Sequence, residues 1–156
     1  MRVQICAVGR LRRGPERDLT DAYLDRFDRV GRGLNLGPAR VIEVDDRKRG
    51  GAGGEAALLR AALPEGATLC VLDQRGDTMT SEGFARYLAA RRDGGVRDLA
   101  FVIGGADGTA ADLRAEADGL LSFGPMVWPH LLARVMLAEQ IYRAASILAG
   151  SPYHRA

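Results

Sequence analysis

The sequence predicts an α/β domain: a mainly parallel β-sheet with helices on both faces. Two patterns carry that expectation. Short apolar runs such as Val3–Val8 and Thr68–Asp73 recur along the chain, each closed by glycine or a polar loop, as buried strands are. Between them lie segments with apolar residues at helical spacing. Strand and helix therefore alternate, and a strand regained through a helix joins its sheet parallel. The length of 156 residues adds a third point. It fits one domain, residues 1–156, that buries roughly 70% of its unfolded surface without a disulfide or metal.

The elements follow in order. Val3–Val8 is a strand ended by Gly9. Pro15–Val30 is a helix, with Leu19, Ala22, Tyr23, Arg26 and Phe27 at helical spacing and acids near its start. Arg40–Val44 is the second strand. Asp45–Gly54 (DDRKRGGAGG) reads as a charged, glycine-rich loop. Glu55–Leu63 is a helix stopped by Pro64. Thr68–Asp73 is the third strand. Thr80 and Ser81 suit the cap of a helix that runs to Arg92. Leu99–Ile103 is the fourth strand, broken by Gly104 and Gly105. A short helix at Ala110–Ala117 leads to a fifth strand, Leu120–Phe123. Pro129 opens the longest helix, to Leu148, and Pro152 ends regular structure.

Composition excludes several classes. Hydrophobic residues make up 47% and charged residues 27%, which excludes a disordered chain. No apolar run reaches the roughly 18 residues of a membrane helix, and the N-terminal apolar stretch is too short for a signal peptide, so a cytoplasmic protein is expected. The net charge is only +2, but the first 60 residues hold thirteen Lys/Arg against nine Asp/Glu. That bias is compatible with a polyanionic partner. Cys6 and Cys70 fall in strand-like runs and read as core. With His130 and His154 they form no metal-ligand spacing.

Ligands of parallel α/β sheets bind at the carboxyl ends of strands, so candidate chemistry is sought there. Gly9-Arg-Leu-Arg-Arg-Gly14-Pro15 has P-loop glycine spacing but lacks the Lys-Ser/Thr, and reads as a basic loop. Asp73, in LDQRGD, is either a turn former or an acid. Gly104, Gly105 and Gly108 mark either a tight turn or a close approach to a ligand. Phe123-Gly-Pro-Met-Val-Trp-Pro-His130 is an apolar segment that can wall an adenine-sized pocket or pack as an ordinary loop. The long helix is apolar around much of its circumference, which requires central burial or a partner subunit. Glu139 and Arg143 stand four residues apart and pair. The tail gathers Tyr153, His154 and Arg155 after Gly150 and Pro152, which should leave it free of the helix.

Three segments, LDQRGDTMTSEGFA, FVIGGADG and above all WPHLLARVMLAEQIYRAASILAGSPYHRA, resemble the RlmH family of small SPOUT methyltransferases. The opening AVGRLRRGPE is similar too, so the resemblance covers essentially the whole chain. It implies a SPOUT fold with a C-terminal trefoil knot, a homodimer, and S-adenosyl-L-methionine as methyl donor with no metal. It implies that Leu72, Gly104, Phe123, Gly124, Pro125, Met126, Val127 and Trp128 line the donor site. The catalytic candidates are His130, Tyr153, His154 and Arg155. The implied reaction is methylation of N3 of a pseudouridine, in the helix 69 loop of 23S rRNA within the assembled 70S ribosome. The alternative is a non-catalytic, ribosome-associated RNA-binding protein. Three positions depart from the family pattern: Asp77 stands for a lysine, Thr80 for a serine and Trp128 for a leucine.

That reaction sets the site's tasks. The N3 proton must leave, which needs a base or a nearby positive charge. Arg155 can supply charge, His130 or His154 can accept a proton, and Tyr153 can stack on the base.

Overall fold

A computed structural model describes residues 1–45 and 51–154. Its elements are β1 (Arg2–Val8), α1 (Pro15–Gly31), β2 (Ala39–Val44), α2 (Gly51–Ala62), β3 (Thr68–Thr78), α3 (Ser81–Asp93), β4 (Asp98–Ile103), α4 (Ala111–Ala115), β5 (Gly119–Ser122) and α5 (His130–Leu148). All strand pairs are parallel, in the order β2-β1-β4-β3-β5. The α/β class is as the alternation of runs predicts.

Strand alternation divides the core in two. Val3, Ile5, Leu99, Phe101 and Ile103 face α1, α3 and α5. Cys6, Val8, Ala100, Val102 and Val71 face the opposite way, where Ala56 and Leu59 of α2 and Leu113 of α4 cover them. Both cysteines are buried free thiols. The layering has a simple topological cause. The two crossings toward the β2 edge use the first face and the two toward the β5 edge use the second. All four crossovers therefore share one hand, as the strong chiral preference of βαβ units requires. At the amino ends of the strands, Arg2 and Gln4 of β1 both reach the Asp98 carboxylate of β4, which fixes their register.

Two expectations need correction. The glycine-rich stretch is not all loop: Gly51–Gly54 is the first turn of α2. Burial of Ala56 and Leu59 against β1 and β2 outweighs the poor helix propensity of glycine there. Residues 46–50 of the expected loop lie outside the described residues. The third strand is also longer than Thr68–Asp73. It runs to Thr78, and Leu121 of β5 pairs first with Leu72 and again with Asp77. The intervening stretch therefore passes close over β5. A Cβ on Gly76 would lie 2.7 Å from backbone atoms of Leu120 and Leu121, so only glycine allows this approach. Smaller shifts concern ends. Phe123 has already left β5, α5 begins at His130 rather than Pro129, and α4 stops at Ala115.

These glycines separate cleanly by experiment. Gly53→Ala or Gly54→Ala, with open space around either Cβ, should each stabilise the fold by about 0.5–1 kcal/mol in urea unfolding. Gly76→Ala should destabilise it by about 1–3 kcal/mol through overpacking. A neutral Gly76→Ala would show that the β3–β5 approach is not tight.

Candidate active site

The carboxyl ends of β3, β4 and β5 enclose a cavity of about 420 Å³. Leu72, Ile103, Leu121, Phe123, Met126, Val127 and Trp128 supply its apolar wall. Asp73, Arg75, Asp107, Thr109, Arg114 and His130 supply polar groups. This mixture, apolar walls with a few converging polar groups, is that of a small-molecule site. Asp73 is held in place by its neighbours: its carboxylate accepts the Arg75 amide at 2.9 Å and lies 3.6 Å from the Arg114 guanidinium. The choice left open in the sequence, turn former or acid, thus resolves toward a turn-forming carboxylate already committed to two arginines.

Seven of the eight residues named for the donor site border this cavity: Leu72, Gly104, Phe123, Gly124, Met126, Val127 and Trp128. Pro125 does not. Gly104 carries a structural reason for its identity. A Cβ there would meet the carbonyl group of Gly108 at 2.7 Å and the Thr109 hydroxyl at 2.8 Å, which are protein and not open space. The glycine closes a tight turn whose rim borders the cavity. Glu55 of α2 fixes the same turn by accepting the Gly105 amide at 3.2 Å. Met126 and Val127 are 66% and 88% exposed, an apolar rim facing solvent.

α5 is fastened beside the cavity by Arg134. Its side chain is fully buried. It donates to Glu43 of β2 at 2.8 Å and to the carbonyls of Val8 and Gly9, at the end of β1, at 3.0 and 3.1 Å. Burial pulls this guanidinium below its ordinary value, and Glu43 opposes the pull. One helical turn earlier, His130 opens α5 beside Gly9, whose Cβ position lies 3.7 Å from the imidazole Nε2. The His130 ring makes no hydrogen bond among the described residues, so its acceptor nitrogen is free.

The tail lies elsewhere, and it is not free. Tyr153 donates to Glu139 at 3.0 Å, its ring stands 4.6 Å from that of Tyr142, and the Arg143 guanidinium lies 4.9 Å over it. Arg143 also donates to Glu139, the pairing their spacing predicts. His154 sits between Arg143 Nη1, 3.4 Å from Nδ1, and Glu82 of α3, 2.7 Å from Nε2. Arginine only donates, so Nδ1 must accept and the ring proton sits on Nε2, pointing at Glu82. Both nitrogens of His154 are therefore occupied. Burial, and then the bond to Glu139, raise the Tyr153 phenol, which stays protonated. Glu139 is nine residues beyond His130, about 13 Å along the helix, and it borders a second cavity. Within one chain, the structure does not bring Tyr153 and His154 to His130. Arg155 lies outside the described residues.

That second cavity, about 520 Å³, is an apolar groove between α1 and α5, lined by Leu19, Tyr23, Met79, Phe84, Val135 and Met136 among others. It is larger than the first but has few polar groups. The apolar circumference of the long helix is met by central burial, since Leu137, Ala138, Ile141, Ala144 and Ala145 sit in the core, and only Val135 and Met136 of its apolar residues line the groove. Residues 9–15 border neither cavity. A P-loop-like site after β1 therefore has no support. Burial pushes the Cys6 and Cys70 thiols up to about 12 and about 11, which leaves them protonated and inert. Among the described residues no cluster of His, Cys, Asp and Glu can hold a metal, and no helix is long and apolar enough to cross a membrane.

Comparison with known proteins decides the family. A family model described as "Predicted SPOUT methyltransferase" matches residues 1–154. Proteins named "Ribosomal RNA large subunit methyltransferase H" match along 99% of both chains. The one from Ruegeria pomeroyi is 68% identical, that from Dinoroseobacter shibae 67% and that from Ruegeria sp. strain TM1040 66%. The chain belongs to the RlmH family of SPOUT methyltransferases. A solved SpoU methyltransferase, AviRb from Streptomyces viridochromogenes in complex with AdoMet, aligns at 14% identity and a TM-score of 0.42, over 91% of this chain and 57% of its own.

Several RlmH-family residues at this site escaped sequence reading. Glu43 reads as an ordinary polar position in VIEV. Glu55 adjoins the expected loop. Glu82 reads as a first-turn acid of α3. Arg134 reads as one more residue of the long helix. No local pattern announces their partners, which lie 50 to 91 residues away for Glu55, Glu82 and Arg134.

Removing the Arg134 side chain leaves Glu43 and two carbonyls without their donor. Arg134→Ala should cost about 3–5 kcal/mol in urea unfolding. Arg134→Lys should recover only part, because one ammonium cannot span three acceptors. The Glu82 carboxyl is drawn down to about 2, first by its own backbone N–H, then by His154 and the Thr80 hydroxyl. A carboxyl lowered on folding contributes fully above its ordinary value of 4.5 and loses that contribution as pH falls through about 2. Tail docking, followed by the NMR shifts of the Tyr153 ring, should weaken across that window. Glu82→Gln should abolish the dependence; an unchanged titration would exclude Glu82 as its source.

Proposed function

We propose that this protein transfers a methyl group from S-adenosylmethionine to N3 of a pseudouridine, in the helix 69 loop of 23S rRNA, within the assembled 70S ribosome. The observation that carries this reading is one cavity at the ends of β3, β4 and β5, bordered by seven donor-site candidates and by His130. The named relatives, large-subunit rRNA methyltransferases matched along their full length, support the substrate class.

The residues suit the donor. The apolar segment from Phe123 to Trp128 and the side chains of Leu72 and Leu121 suit a purine and a thioether-like chain. Asp107 offers a carboxylate to an ammonium or sulfonium, and Arg75 and Arg114 offer donors to a carboxylate. S-adenosylmethionine supplies an already activated methyl group. The protein's work is alignment of the acceptor nitrogen, exclusion of water and removal of the N3 proton. His130 is the base in this reading, because its ring is unengaged and faces the cavity, whereas both nitrogens of His154 are engaged. Tyr153, His154 and Arg155 act on the acceptor. They do so from a partner subunit, since the tail of the same chain is docked against Glu139 and Glu82.

The reading includes a homodimer. The groove between α1 and α5, with Leu19 and Met79 exposed along it, is the face a second copy covers about a two-fold axis. We place the trefoil knot where Asp73–Gly76 arches past β5: Leu121 is flanked by both Leu72 and Asp77, and the chain beyond it returns between α1 and α3 as α5. Work on ribosomes places the enzyme in the cytoplasm.

Calorimetry with S-adenosylhomocysteine and tritiated methyl transfer to ribosomes test the reading together. The intact protein should bind one ligand per chain and label ribosomes. Deletion of residues 152–156 should leave ligand binding within a few fold and remove transfer. His130→Ala should lower transfer by about 10²–10⁴. Ligand binding without labelling would favour the non-catalytic reading, and absence of both would refute the site.

A further inference from the structure

Among the described residues, the loop after β1 is a strongly basic motif that borders neither cavity. Arg10, Arg12 and Arg13 are all exposed on it. Loops with free arginines are common, but this one is built to hold its arginines outward. Leu11, at its centre, is buried. The Leu11 amide donates to Glu43 at 2.7 Å, and its carbonyl accepts from Arg17 at 3.2 Å. The same Glu43 oxygen receives the Arg134 guanidinium. The loop is thus pegged to the anchor that sets α5 and His130.

Charge pairing along the loop is uneven. Arg10 lies 3.8 Å from Asp45, and Arg17 pairs with Asp21. The other nearby acids are Glu16, which leans on Gly14, and Asp18. Arg12 and Arg13 make no ion pair or hydrogen bond among the described residues. Two adjacent unpaired guanidiniums on a fixed base are a poor arrangement for stability, because they repel. They are a good one for a polyanion, since each planar fork matches a phosphate.

Position identifies which polyanion. The loop begins at Gly9, the residue against which His130 rests. Arg13 is four residues on, at most about 14 Å along the chain. A strand that delivers a base to His130 would therefore bring its neighbouring phosphates within reach of this loop. We propose that Arg12 and Arg13 clamp the RNA backbone beside the extruded acceptor base, setting affinity for the substrate strand and not the chemistry. This rests on the methyl-transfer reading above.

The test uses the full-length double variant Arg12→Ala/Arg13→Ala. Sedimentation mass and S-adenosylhomocysteine affinity should match the parent protein. The KM for ribosomes should rise about tenfold or more, with kcat within about twofold. The slope of log kcat/KM against log salt should become shallower by about 1 to 2, as loss of two phosphate contacts requires. Lysine at both positions should restore most of the salt slope but only part of the affinity. A photo-crosslinking residue at position 13 should give a nuclease-sensitive adduct on ribosomes.

An unchanged KM and salt slope in the double variant, beside an active parent, would overturn the proposal. So would an adduct to ribosomal protein, or a changed mass or cofactor affinity, which would make the loop structural. A parent protein that never labels ribosomes would instead sink the methyl-transfer reading.

Discussion

The buried guanidinium of Arg134 is the constraint on which the site depends. A charge taken out of water is tolerated only where fixed acceptors replace its hydration. Here Glu43 and the carbonyls of Val8 and Gly9 do so, and they belong to the carboxyl ends of two adjacent strands. The satisfied geometry therefore fixes α5 in both height and rotation over the sheet. From it follow the placement of His130 at the cavity wall, the course of the Phe123–Pro129 segment that must connect β5 to α5, and the seat of Leu11. One nitrogen, Nε, has no partner among the described residues, so the fit is paid for in part by specificity of position rather than by full hydrogen bonding.

A second theme is separation along α5. Its first turn carries His130 at one cavity; its later turns carry Glu139 and Arg143, which hold the tail at the other. Phe123 and Gly124 border both cavities, so the two lie back to back across this segment. The chain thus places the cavity beside His130 and its docked tail on opposite sides of one segment.

Much of the sheet was legible in the sequence, because apolar runs at strand spacing have no competing solution here. VQICAV and LAFVI alternate between two helical layers, and their burial on both faces is what such runs report. The first turn of α2 is not legible, because its three glycines and one alanine carry no periodic signal; tertiary burial of Ala56 and Leu59 decides it. The true end of β3 is hidden for a similar reason. QRGD looks like a turn, and only the approach of Leu121 makes it part of a strand. The cavity-lining residues were legible as strand-end and glycine positions, while the names of the donor and acceptor came from resemblance alone. What could not be read was long-range pairing. Nothing in the local sequence links Glu82 to His154 or Glu43 to Arg134, and the expected freedom of the tail failed because Gly150 and Pro152 say nothing about where the following side chains dock.

The central claim is that this chain methylates N3 of one pseudouridine in large-subunit RNA. Mass spectrometry of nuclease fragments of 23S rRNA, from cells with and without this gene, measures it most directly. The account predicts that the helix 69 fragment loses the mass of a single methyl group when the gene is absent, and regains it when the intact gene is restored but not when the His130→Ala form is. An unchanged fragment mass in cells lacking the gene would contradict it.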